Sequence, residues 1–141
     1  MSKKQKEIIL SVCLTCTLNK AQNNNKLAGE KLAQKLIDKF KNTKNVTLRG
    51  VNCMSNCKRS CIVSFTAENC FTYVFGDIDP ENSAYIDSIE ELLLSYSKSD
   101  DGFLRRRHRP EIYRSNIVGR FPPINSSCLL YTSDAADDRL S

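Results

Sequence analysis

The chain has 141 residues, 40% hydrophobic and 26% charged, with a formal net charge of +5, which is the balance of one ordinary globular domain rather than a disordered or bilayer-embedded chain. Unbroken apolar runs such as Ile8–Leu10 and Leu92–Leu94 are far too short to cross a bilayer. Seven Cys against a single His make histidine-rich metalloenzymes and the Ser/His and Cys/His hydrolases poor fits.

Lys3, Lys4 and Lys6 precede Ile8–Cys13 in the manner of a secretory signal, but the apolar stretch is too short for a signal core and Glu7 and Ser11 flank or interrupt it. The better reading is a β-strand over Glu7–Val12, with Ile8, Leu10 and Val12 on one face and Cys13 at its end. The chain is then expected in a reducing cytoplasm, where clustered cysteines are metal ligands or redox centres more often than disulfides. Residues 17–24 are polar and read as a loop. From Asn25 to about Lys41 the residues Ala33, Leu36, Ile37 and Phe40 repeat at helical spacing. A turn at Asn42–Asn45 leads to a second strand, Val46–Val51, which runs into a cysteine cluster at Cys53.

Cys61–Phe65 and Phe71–Phe75 read as a hairpin looped through Thr66–Asn69, broken after Phe75 by Gly76 and Asp77. Asp79 followed by Pro80 and Glu81 predicts a helix start, with Tyr85, Ile89, Leu92, Leu93 and Tyr96 as the buried stripe. The order over residues 1–97 is β-α-β-β-β-α, an α/β domain of two or three layers. Residues 98–127 carry Gly102, Pro110, Pro122, Pro123 and a basic run (Arg105, Arg106, Arg107, Arg109), and read as an extended basic tail lying over the domain. Lacking interleaved aromatics, the run fits a solvated face or a docking surface for an acidic protein partner better than a nucleic-acid patch. Residues 128–141 stand apart. Cys128–Asp137 resembles the in-frame translation of a sequencing adapter, and is read as non-native.

The cysteines carry the chemistry. Cys13 and Cys16 leave the end of the first strand, and Cys53 and Cys57 leave the end of the second, with Cys61 four residues on. If the two strands are parallel neighbours, both loops emerge at one end, and two thiolate pairs supply the four sulfurs of a [2Fe–2S] cluster or a tetrahedral zinc. Cys61 opens the third strand and suits the core or a fifth ligand position, whereas Cys70 reads as an ordinary strand-start residue.

Cys53–Cys61, Phe71–Asp77 and Arg107–Ile112 together resemble a bacterial family of unknown function whose members are described as metal-binding proteins, over about Ile8 to Pro123. Cys13, Cys16, Cys53, Cys57 and Cys61 match that family's cysteines, and Cys70 does not. The family is in turn similar to thioredoxin-like [2Fe–2S] ferredoxins, in which a CxxxC pair after the second strand binds the cluster, as Cys53 and Cys57 would. Their first pair is spaced much more widely than Cys13 and Cys16. The family's genes lie near cobalamin-related ones.

The resemblance implies a single thioredoxin-like domain binding a [2Fe–2S] cluster through Cys13, Cys16, Cys53 and Cys57, with Cys61 as a further metal ligand, acting as a one-electron carrier for an acidic redox partner. Zinc or cobalt binding, structural or for delivery, is the alternative, because thiolates do not discriminate among these metals. Thiol–disulfide exchange comes third: eight polar residues separate Cys16 from the expected helix, and 46–66 lack the proline that glutaredoxin-type folds place before their third strand. A free-standing enzyme fits worst, since His108 sits in the arginine run and Asp77 and Asp79 are accounted for by turn and cap duty.

Overall fold

Strand β1 (Ile8–Cys13) buries Ile8, Leu10 and Val12 as its sequence predicts, but its burial does not alternate, because Ser11 and Cys13 on the opposite face are buried as well. It is the spine of a five-stranded sheet in the computed structural model, which describes residues 6–16, 27–126 and 130–131. The loop read over 17–24 lies outside the described residues, as does the adapter-like segment apart from Leu130 and Tyr131. The sheet order is β2-β1-β3-β4-β5, with β2 spanning Val46–Val51, β3 Val63–Thr66, β4 Thr72–Phe75 and β5 Ile117–Phe121. β2 runs parallel to β1; β3, β4 and β5 follow in antiparallel succession on the other side.

Two α-helices among the described residues cover the sheet. Helix α1 (Ala28–Phe40) is the crossover that a parallel β1–β2 pair requires. Its buried stripe is Ala28, Leu32, Leu36 and Phe40, an i, i+4 ladder. Ile37, expected in the core, is 44% exposed, because it sits one position round the helix from Leu36. Helix α2 (Ser83–Lys98) buries Ile86, Ile89, Leu92, Leu93 and Tyr96, and Ile86 takes the place expected for the half-buried Tyr85. Its cap is Asn82, whose side chain accepts from the Ala84 N–H at 3.0 Å. Asp79, expected there, instead accepts from the Glu81 N–H at 2.9 Å and closes a turn before the helix.

The helices bridge one another through Lys39 with Asp87 and Glu90. Beneath α2, Phe65 meets Tyr96 edge-on at 4.7 Å between ring centres and stacks on Tyr73 and Phe75. These rings alternate with Ser64, Thr66 and Thr72 on the opposite face, where the Thr66 and Thr72 hydroxyls bond at 2.7 Å.

The segment read as an extended basic tail is more ordered than expected. Residues 106–108 and 111–113 form short 3-10 turns, and 117–121 joins the sheet as β5. Tyr113 is buried against Phe75 and Tyr85, and its hydroxyl donates to the Tyr85 carbonyl at 2.9 Å. No helix among the described residues is long and apolar enough to cross a membrane.

Candidate metal centre

Topology places the cysteines before any side chain is considered. β1 and β2 are parallel, so Cys13–Cys16 and the Cys53–Cys57 loop leave the sheet at the same end. β3 is antiparallel to β1, so its entry lies beside the exit of β1, which brings in Cys61. The Cys13 N–H donates to the Ile62 carbonyl and the Leu14 N–H to the Val51 carbonyl, tying the first cysteine loop to both neighbours. The Thr15 hydroxyl donates to the Asn52 carbonyl, joining the two cysteine loops directly.

The first turn of α1 closes over this loop. The Gly29 N–H, one of the helix's unpaired N-terminal donors, bonds the Cys16 carbonyl at 3.0 Å. Gly29 is required there: a Cβ would collide with the Cys13 carbonyl oxygen and come within 2.9 Å of the Leu14 carbonyl. At the same helix end, Glu30 accepts from the Leu27 N–H at 3.1 Å.

Cys13, Cys16 and Cys61 are all buried at this end of the sheet, and Cys16 interacts electrostatically with both of the others. Cys61 above all, and then Cys13 and the Ile62 N–H, favour the Cys16 thiolate; together they outweigh burial and pull the Cys16 thiol down to about 5. Cys61 pays the reciprocal cost: its proton is held by Cys16, and burial adds to this, so its thiol is pushed far up. Cys13 is raised chiefly by burial and then by Cys16, against the Met54 N–H, which favours its thiolate. Negative charge is therefore favoured at Cys16 over Cys13 and Cys61, with the Met54 N–H directed at Cys13 and the Ile62 N–H at Cys16.

Cys53 and Cys57 are exposed, and neither sulfur makes a hydrogen bond with the buried three. In their loop Ser55 adopts φ 58° and turns its N–H onto the Cys53 sulfur at 3.3 Å. Cys57 opens a short 3-10 turn through Arg59, and the Ser60–Cys61 peptide is cis. Arg59 is paired with Asp77, at 2.7 and 2.6 Å from Nε and Nη2, which leaves Lys58 as the cation of this loop without an ion pair among the described residues. Cys70 is buried apart from the cluster, 4.0 Å from the Asp100 carbonyl.

The expected ligand pairs were Cys13–Cys16 and Cys53–Cys57. The sulfurs brought together are Cys13, Cys16 and Cys61, with the second pair on the adjoining loop. Among the described residues no group of three or more His, Cys, Asp or Glu side chains stands in an arrangement that holds a metal ion. In kind, though, the donor set fits a soft or iron–sulfur centre: it is all sulfur, it lies among backbone N–H donors, and no imidazole competes with it.

No curated protein matches the chain. Among solved structures, a thioredoxin-like [2Fe–2S] ferredoxin from Aquifex aeolicus is similar over 84% of this chain and 96% of its own, at 14% identity and a TM-score of 0.50. That likeness establishes the thioredoxin-like fold. Residues 10–123 match the family described as "Protein of unknown function (DUF1636)", a span that runs from within β1 to beyond β5 and takes in all five clustered cysteines. The chain belongs to the DUF1636 family.

Proposed function

We propose that this chain is a metal-binding protein of the cytoplasm that holds a [2Fe–2S] cluster through cysteine thiolates and passes single electrons to an acidic partner. The proposed ligands are Cys13, Cys16, Cys53 and Cys57, with Cys61 as the fifth candidate. The observation that carries the reading is that Cys13, Cys16 and Cys61 are all buried at the one sheet end from which the Cys53–Cys57 loop also leaves. The name of the Aquifex aeolicus neighbour, which shares the fold, supports it.

Such a cluster, when bound, takes up and releases one electron. The protein's own part is to hold and tune the sulfurs. The N–H groups of Met54 and Ile62 stabilise negative charge on Cys13 and Cys16, and that of Ser55 does so on Cys53. The first turn of α1 packs closely on the Cys13–Cys16 loop and holds it through the Gly29 N–H bond to the Cys16 carbonyl. Cys53 and Cys57 are the exposed members, so an electron would enter or leave on their side, beside Lys58, where an acidic partner would dock.

A series of single Cys→Ser variants tests this, with metal content and melting temperature read on each. Cys13→Ser, Cys16→Ser, Cys53→Ser and Cys57→Ser are expected to lose the centre and, because metal binding and folding are linked, stability with it. Cys70→Ser is expected to keep both, and Cys61→Ser decides whether the fifth cysteine ligates or only buttresses Cys16. Equal metal content in all six variants would overturn the assignment. Zinc or cobalt in place of iron and sulfide would retain the site and replace the electron-carrier role with a structural or delivery one. Metal-free protein cycling a disulfide would favour thiol–disulfide exchange.

A further inference from the structure

Away from the cysteines, the segment between α2 and β5 forms an open surface cavity of about 510 Å³, a shallow basin lined by Phe103, Arg105, Arg106, Arg107, Arg109 and Arg120. No acidic residue lines it, and none of its residues belongs to a cysteine-bearing loop.

Its walls are fixed before any ligand arrives. At one end the Tyr73 hydroxyl, buried under the sheet, accepts from the Leu104 N–H at 2.7 Å and donates to the Leu104 carbonyl at 3.3 Å. Further on, two arginines lock the backbone reciprocally. Arg109 donates to the carbonyls of Tyr113 and Arg114, and Arg114 donates to those of Arg107 and Arg109. The Arg120 guanidinium lies 4.2 Å from the Phe103 ring centre.

The charges are not balanced. Arg109 is 5% exposed, yet its side-chain bonds run only to backbone carbonyls. Among the described residues, no carboxylate pairs with any of the five lining arginines, and the side chains of Arg105, Arg106 and Arg107 make no hydrogen bond. A buried cation among like charges is costly unless an anion completes it. Guanidinium forks match the paired oxygens of phosphate and carboxylate groups.

We propose that this cavity is a binding site for a small polyanion carrying clustered oxyanions, a di- or triphosphate or a polycarboxylate. The site is independent of the metal centre and of the electron-carrier reading. The ligand would neutralise Arg109 and engage the unpaired forks of Arg105, Arg106 and Arg107, and binding would stabilise the fold.

The test uses the full chain, reduced, with inorganic pyrophosphate, inorganic triphosphate and citrate added at ionic strength matched by chloride, following melting temperature and binding heat. The expected result is saturable binding of about one anion per chain that weakens with salt. Pyrophosphate or triphosphate binding with citrate inert identifies a phosphate site; the reverse identifies a polycarboxylate site. The double variant Arg106→Ala/Arg107→Ala, whose side chains hold nothing else, is expected to bind at least about tenfold more weakly with an unchanged melting temperature in chloride. Lys41→Ala/Lys44→Ala removes the same charge elsewhere and is expected to bind as the parent does. No response to any of the three anions, equal weakening in both double variants, or binding only to a polyglutamate chain would each overturn the proposal.

Discussion

Gly29 gives the sharpest test of how the cysteine loop is held. Alanine at an open helical position is worth up to about 1 kcal/mol over glycine, so Gly29→Ala would stabilise an unobstructed helix. Here the new methyl meets backbone: the Cys13 carbonyl oxygen and, at 2.9 Å, the Leu14 carbonyl. Backbone cannot swing aside as a side-chain end can, so overpacking costs about 1–3 kcal/mol. Displacing the loop also stretches the Gly29 N–H bond to the Cys16 carbonyl, worth about 0.5–1.5 kcal/mol. After subtracting the propensity gain, the expected loss is about 0.5–3.5 kcal/mol. Urea unfolding of the metal-free, reduced protein reads it, and the buried thiols should also react faster with a disulfide reagent. Gly119→Ala is the control: its methyl meets only the ring of the exposed Phe121, and stability should hardly change. Gly29→Ala as stable as the parent, with thiol reactivity unchanged, would refute the reasoning.

Cys16 gives a pH signature in the metal-free protein. Its folded value of about 5 lies below the ordinary thiol value of 9.0, so between these limits the unfolded state holds the extra proton. Its contribution to stability is complete above pH 9, falls as the pH drops through this window and is gone once the pH passes below 5; thiolate absorbance appearing near pH 5 and absent from Cys16→Ser checks it. Cys13 and Cys61 are raised and act oppositely, withdrawing stability as the pH climbs past 9. Leu36→Ala should cost about 2–5 kcal/mol, and Ile37→Ala within about 0.5 kcal/mol of nothing, a contrast that denaturant midpoints would show. Tyr73→Phe strands the buried Leu104 N–H, which should cost about 1–3 kcal/mol in the same assay and loosen the arginine segment, read as faster amide exchange there.

What the sequence made legible follows from local pattern. β1, α1 and β2 are clear because Ile8, Leu10 and Val12 alternate, Leu36 and Phe40 recur at helical spacing, and Asn42–Asn45 separates the last two. The start of α2 falls later than Asp79 suggests, because the Asp79 side chain is spent on the Glu81 N–H and the cap is Asn82, whose side chain accepts from the Ala84 N–H. β5 escaped notice because Ile117–Phe121 contains Gly119 and Arg120 and owes its strand character to a distant partner, β4. The convergence of the cysteine loops was readable from the parallel β1–β2 pair. The place of Cys61 was not, since it depends on β3 lying antiparallel on the other side of β1, a non-local pairing that spacing does not encode. The arginine run was visible as charge, but its concavity depends on Arg109 and Arg114 folding the segment onto itself and on Arg120 arriving with the missed strand.

The central claim is that the clustered thiols hold a [2Fe–2S] centre, and its most direct test is purification of residues 1–127 without oxygen, with iron, acid-labile sulfide, zinc and cobalt measured per chain beside the visible spectrum. The account predicts a coloured protein with iron and sulfide in equal amounts, about two of each per chain. A colourless protein holding zinc or cobalt, or no metal and freely titrating thiols, would contradict it.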